Sequence, residues 1–239
     1  MPEAIRFEGV ERSYGRQRVL TGVTFNVRAG EYIGLVGVNG AGKTTLIKGM
    51  LDLGEVDRGH IEIFGVAHRD WRARRQLAYL PEQFSPPYYA RGEDFLLFMA
   101  AMHERPYAES ERDAVLAALD LEPGALAKPV RTLSKGMSQK LGLAATLLSG
   151  RPLFVLDEPM SGLDPKARAL FKQHLLALRR DQGQAIFFST HLLSDVESLC
   201  DRIVILHGGV PRFVGTPHEC CASFGAADLE QAYLRCVAS

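Results

Sequence analysis

The stretch Tyr32-Ile33-Gly34-Leu35-Val36-Gly37-Val38-Asn39-Gly40-Ala41-Gly42-Lys43-Thr44-Thr45-Leu46-Ile47 decides the fold of this chain. Its first five residues read as a buried strand, and the residues from Thr45 to Leu51 continue as a helix. Between them lies a glycine loop that ends in Lys-Thr. Strand, glycine loop, Lys-Thr and helix is the order a phosphate-binding loop requires. The glycines let the backbone curl so that successive N–H groups face phosphate oxygens. The new helix turns its positive end toward the same charge, Lys43 adds a cation, and the Thr44 hydroxyl suits magnesium. The pattern predicts binding of a nucleoside triphosphate.

Working outward, 239 residues suit one large domain or a core with an inserted lobe. Lys and Arg number 28 and Asp and Glu also 28, so no charge excess points to nucleic acid or an anionic membrane. The basic cluster Arg69, Arg72, Arg74 and Arg75 reads as a solvated helix face flanked by Asp70 and Glu82. No apolar run approaches the ~18 residues of a membrane span, and the acidic N-terminus does not read as a signal peptide. Cys200, Cys220, Cys221 and Cys236 have no metal-ligand spacing and read as reduced thiols of a cytosolic protein.

The chain changes character twice. Ile5 and Phe7, then Val23, Phe25 and Val27, alternate as strands, and His60 to Gly65 reads as another. From Ser85 to about Gly150 the pattern is helical, broken at Pro86-Pro87, Pro106, Pro123-Gly124 and Pro129. Apolar strand signals return at Leu153–Leu156 and Ala185–Phe188 around a helical stretch, which argues for a parallel sheet. A further run, Ile203–Leu206, ends at the turn Gly208-Gly209.

Two of these strands deliver chemistry. A buried parallel strand presents its last residues at the carboxyl edge of the sheet, where ligands bind. Leu153–Leu156 thereby delivers Asp157, able to hold magnesium opposite Thr44, and Glu158, able to take a proton from an attacking water. Ala185–Phe188 delivers Ser189, Thr190 and His191 to the same edge, and His191 can donate to a γ-phosphate or orient that water. At Ser134-Lys135-Gly136-Met137 a helix begins; Ser134 reads either as its N-cap or as a phosphate contact.

With these motifs in order, the chain from about Ile5 to Gly215 resembles the ATP-binding subunits of ABC transporters. Leu133-Ser134-Lys135-Gly136-Met137 is similar to the family signature, with Lys135 and Met137 replacing a glycine and a glutamine. The resemblance implies an α/β fold: a P-loop NTPase core with a mostly parallel sheet, an antiparallel β layer and an inserted α-helical subdomain. In a single ABC ATPase domain spanning 1–239, the core would take 1–84 and 151–215, the helical subdomain 85–150, and a C-terminal cap 216–239.

The resemblance also implies roles. ATP would be held by Tyr14, on which adenine stacks, and by Gly37, Val38, Asn39, Gly40, Ala41, Gly42, Lys43, Thr44 and Thr45. Ser134 and Gly136 would bind the ATP of a second subunit in a head-to-tail dimer, either a homodimer or a heterodimer with a related ATPase. Mg2+ would sit at Thr44 and Asp157, with Glu82 or Gln83 reaching it; counting from Pro81 leaves both open. Glu158 and His191 would be catalytic, and Ser161, Gly162, Leu163 and Asp164 would couple the two sites. Hydrolysis would drive a membrane-spanning permease docked near Glu82 to Met99, with Tyr88 and Tyr89 lining the groove and Phe95 suited equally to the groove and to the core. The subunit would be cytoplasmic, peripheral on the inner face of the cell membrane through that permease. The Leu-Pro-Glu loop and Ser-Lys-Gly-Met signature resemble the branch serving ABC-2-type exporters. The alternatives are a soluble ABC-type ATPase acting on DNA or ribosomes, and a regulatory module that binds ATP without hydrolysing it.

Overall fold

The computed structural model describes residues 2–181 and 183–238. Its first two strands, β1 (Glu3–Tyr14) and β2 (Gln17–Arg28), form an antiparallel hairpin. Next come β3 (Tyr32–Val36), α1 (Lys43–Met50), β4 (Arg58–Ile63), β5 (Val66–Ala67), the short α2 (Trp71–Arg74) and β6 (Leu77–Leu80). Three helices follow, α3 (Gly92–Met102), α4 (Glu109–Ala118) and α5 (Lys135–Leu148). The chain then returns to alternation with β7 (Leu153–Asp157), α6 (Pro165–Asp181), β8 (Ala185–Thr190), α7 (Leu193–Leu199) and the hairpin β9 (Arg202–His207) and β10 (Val210–Gly215). It closes with α8 (Pro217–Ser223) and α9 (Leu229–Ala238).

Among the described residues the strands form two sheets. One has the order β2-β1-β4-β5 and is antiparallel; the other has the order β10-β9-β3-β8-β7-β6. In the larger sheet β9, β3, β8, β7 and β6 run parallel, and only the edge strand β10 is antiparallel. The expected mostly parallel sheet and antiparallel layer are both present.

The central strands are buried on both faces, and their side chains alternate between two cores. In β7, Leu153 and Val155 join the core beneath the antiparallel sheet, while Phe154 and Leu156 face the helical side. In β8, Ala185 and Phe187 take the first side, Ile186 and Phe188 the second. Between the sheets Phe187 meets Phe7 and Phe25 at ring-centroid separations of 6.0 and 6.2 Å. On the other face the Tyr32 hydroxyl donates to the Leu175 carbonyl at 2.8 Å, fastening α6 to β3. Buried Cys220, Leu229, Ala232 and Cys236 of α8 and α9 pack with Val36, Val196, Ile203 and Ile205.

The structure refines the sequence reading in four places. Tyr79 and Leu80, read with the Leu-Pro-Glu loop, end a strand that begins at Leu77; paired on one side only, with β7, it is too short to show periodicity. Strand β4 stops at Ile63, because Phe64 and Gly65 both turn at positive φ into β5. Phe95 is buried against Phe84, so it belongs to the core and not to an exposed groove. The arginine cluster is a solvated face around a one-turn helix, as expected, and three of its members are paired: Arg72 with Asp70, Arg74 with Asp52 and Arg75 with Glu104. Among the described residues no helix is long and apolar enough to cross a membrane.

Two measurements test this packing. Phe187→Ala should cost about 3–5 kcal/mol of unfolding free energy, the worth of an aromatic ring removed from a close-packed core; a chemical-denaturation midpoint equal to wild type would contradict the placement. Burial pushes His68, His103 and His174 below the ordinary histidine value. As pH falls below about 6.5 the unfolded chain takes up protons that the folded chain resists. Stability present at pH 7.5 is therefore lost as pH falls through the depressed folded values. The melting temperature should be lower at pH 5.5 than at 7.5, and a flat profile would contradict it.

Candidate functional site

Because β3, β6, β7 and β8 run parallel, Val36, Leu80, Asp157 and Thr190 all end on one edge of the sheet. The loop after β3 curls there into α1. Gly42 stands at φ +105, and a Cβ on it would lie 2.9 Å from the Val19 carbonyl, so glycine alone fits. Helix α1 has no capping side chain and no acid in its first turn. Its leading N–H groups are therefore available to an anion.

The loop borders a cavity of about 420 Å3 lined by Tyr14, Gln17, Val19, Val38, Asn39, Gly40, Gly42, Lys43, Thr44, Thr45, Glu82 and Glu158. Gly37 and Ala41 are buried beneath it, with the Ala41 N–H donating to the Val38 carbonyl at 3.1 Å. The volume and the N–H-rich wall suit a polyanionic ligand with a flat group against Tyr14.

Asp157 ties the edge together. It is only 1% exposed, yet both its oxygens are satisfied: Thr44 Oγ1 donates to Oδ2 at 2.9 Å and Ser189 Oγ donates to Oδ1. Ser189 stands opposite Asp157 in the β7–β8 register, and its hydroxyl also accepts the Glu158 N–H at 3.0 Å. Ser189 is the member of the site that motif reading passed over, delivering it to the edge without assigning it a task. The signal available was its place directly before Thr190-His191 on a buried strand aligned with Asp157.

Glu158 adopts the left-handed region at φ +49, unusual for a non-glycine residue and a mark of a conformation held by its surroundings. Its carboxylate lies between two basic groups. Lys43 Nζ is 3.4 Å from Oε1, and His191 Nδ1 is 2.9 Å from Oε2. Lys43 Nζ also donates to the Gly37 carbonyl at 2.7 Å. His191 itself is half exposed, at the start of a turn fastened by the Leu192 N–H to Thr190 Oγ1 at 3.0 Å. The half-buried Tyr79 phenol is pushed up to about 12, first by burial and then by the charges of Asp157 and Glu82. Glu82 thus stands on the cavity side, whereas exposed Gln83 is not among the residues lining it.

Ser134 and Gly136 lie outside this cavity. Ser134 caps α5, its hydroxyl accepting the Met137 N–H at 3.2 Å. A Cβ on Gly136 would sit 3.0 Å from the Gly162 carbonyl, so the helix start abuts the loop Ser161-Gly162-Leu163-Asp164. That loop is braced at both ends. Ser161 N donates to the Glu158 carbonyl at 3.0 Å, and Asp164 accepts the Ala167 N–H at 2.9 Å and pairs with Lys140 of α5 at 3.4 Å. The Ala167 N–H and then Lys140 hold the Asp164 carboxyl below the ordinary range.

Residues 20–161 match the family model of ABC transporters. The chain is 37% identical over 210 residues to the uncharacterised ABC transporter ATP-binding protein YdbJ of Bacillus subtilis, covering 86% of this chain and 67% of that one. It is 37% identical over 236 residues to the Nod factor export ATP-binding protein I of Burkholderia orbicola, covering 96% and 76%. A solved ATP-binding subunit of an ABC transporter superposes with a TM-score of 0.87 at 34% identity, over 98% of this chain and 99% of the other. The chain therefore belongs to the ABC transporter family, as a subunit that binds and hydrolyses ATP to power transport.

Proposed function

We propose that the cavity holds Mg-ATP against the loop from Gly37 to Thr45, with adenine stacked on Tyr14, and that Glu158 is the general base for its hydrolysis. The observation that carries this reading is the position of the Glu158 carboxylate, 3.4 Å from Lys43 and 2.9 Å from His191 at the cavity wall. Lys43 is 6% exposed, and the Glu158 carboxylate offsets its charge. A γ-phosphate offers Lys43 a second anion, which frees Glu158 to accept a proton from water. His191 orients the released carboxylate or donates to the phosphate.

Magnesium fits the donor set. Thr44 Oγ1 and Asp157 Oδ2 are hard oxygen donors 2.9 Å apart. Among the described residues no group of three or more His, Cys, Asp or Glu could hold a metal unaided. An ion bound by Thr44 and Asp157 would complete its shell with triphosphate oxygens and water, Glu82 being nearer at hand than Gln83. It would supply charge neutralisation at the phosphates.

Ser134 and Gly136 serve the ATP of a second subunit, a copy of this chain or a related ATPase, because each opens a helix yet stands apart from its own cavity. The loop Ser161–Asp164 links that helix to Glu158 and so joins the two sites. The partner that receives the motion is a membrane-spanning permease. Tyr88, Tyr89, Leu97, Phe98 and Met102 are large apolar side chains exposed on and before α3, and they form the proposed docking face. Likeness to proteins named for Nod factor export supports an ABC-2-type exporter, with this subunit at the inner face of the membrane.

Two outcomes follow from the assigned roles. Glu158→Gln should retain Mg-ATP binding in equilibrium dialysis while phosphate release falls by about 100-fold or more, the usual share of a general base; wild-type turnover would remove Glu158 from the mechanism. Ser134→Arg should lose turnover while the isolated chain still binds ATP with near wild-type affinity, since its own cavity is untouched. The lost cap should cost about 1 kcal/mol. An ATPase rate equal to wild type would refute the assignment of Ser134 to the opposite site.

A further inference from the structure

Tyr14 ends β1 immediately before the turn at Gly15, and half of its surface is exposed. A ring so placed has no close-packed core to hold it. What holds it is Arg12, two residues earlier in the same strand, whose guanidinium carbon lies 4.7 Å from the ring centroid. The guanidinium is itself clamped. Arg12 Nη1 donates to Asp57 Oδ1 at 2.7 Å and to Glu55 Oε2 at 3.0 Å. The other Asp57 oxygen accepts the Ser13 N–H at 2.7 Å, and the Asp57 N–H donates to the Glu11 carbonyl at 2.9 Å. Asp57 thus grips the backbone on either side of Arg12 as well as its side chain, and the Arg12 side chain is only 14% exposed.

Tyr14 lines the cavity, whereas Arg12, Glu55 and Asp57 do not. The guanidinium stands over the ring, and the same ring borders a cavity that Arg12 does not line. A cation on one face withdraws π density from the ring, which lessens repulsion when an electron-rich base stacks on the other. The planar fork also restricts the ring to one orientation before the base arrives.

We propose that Arg12, anchored by Asp57 and Glu55, is a positioning residue that holds Tyr14 as a preformed platform and thereby sets the affinity of the site for the nucleotide base. This rests on the reading of Tyr14 as the adenine-stacking residue. Arg12 touches no reacting atom, so its effect falls on base binding and spares both phosphate binding and the chemical step.

The test is an equilibrium titration of the full chain with Mg-ATP and with Mg-tripolyphosphate, which has no base, alongside steady-state kinetics. Arg12→Met should weaken ATP binding and raise KM by roughly two- to fivefold, the worth of an exposed cation–π contact. Tripolyphosphate binding and kcat should stay at wild-type values. The double variant Arg12→Met with Tyr14→Ala should bind ATP no worse than Tyr14→Ala alone. Asp57→Asn leaves Arg12 in place with a looser anchor; it should give the same pattern in weaker form and serves if Arg12→Met fails to fold. Equal losses for ATP and tripolyphosphate, or additive losses in the double variant, would overturn the proposal. If Tyr14→Ala weakens ATP and Arg12→Met does not, only the proposal falls. If Tyr14→Ala itself leaves ATP affinity unchanged, the adenine-stacking reading falls first and takes the proposal with it.

Discussion

A buried carboxylate holds the working edge of this protein together. Asp157 is almost wholly removed from water, a position that costs several kcal/mol for an unpartnered charge. Hydroxyl donors from two different elements offset that cost, Thr44 from the start of α1 and Ser189 from the end of β8. The same pair of contacts fixes the distance between the phosphate loop and strands β7 and β8. Glu158 then follows with no freedom of its own: its N–H is on Ser189, its carbonyl on Ser161, and its backbone is turned to positive φ. The site is preassembled because each polar group at the sheet edge is a partner of the next.

From Glu158 the contacts run outward without a gap. Ser161 bonds to Glu158, Gly162 closes on Gly136, and Asp164 pairs with Lys140. The last two contacts reach α5, whose buried face packs in the same core as Phe95 and Leu96 of α3. The exposed face of α3 carries Leu97, Phe98 and Met102. The packed elements thus run from the nucleotide edge to an exposed apolar face of α3.

Much of this was legible because the decisive residues are local in sequence. A glycine loop between a strand and a helix needs no distant partner to be recognised, and an apolar run ending in Asp157-Glu158 places its acids by strand geometry alone. Less legible were features that depend on pairing. Leu77–Leu80 becomes a strand only because β7 offers an edge, and Ser189 enters the site only through its register with Asp157. The choice between Glu82 and Gln83 rests on which way the chain turns after Pro81, which residue counting cannot supply. Phe95 looked equally suited to core and groove, and its burial follows from the Phe84 ring beneath it. The clamp on Tyr14 joins residues more than forty positions apart and leaves no motif.

Under the proposed function one chain supplies only half of each nucleotide site, and bound ATP brings in the other half. The most direct test is the mass in solution of the Glu158→Gln chain, by light scattering, with and without Mg-ATP. The half-site arrangement predicts a shift from 26.3 kDa to twice that mass when the nucleotide is added. A chain that binds Mg-ATP at full occupancy and remains at the monomer mass would contradict closure around ATP by a second copy.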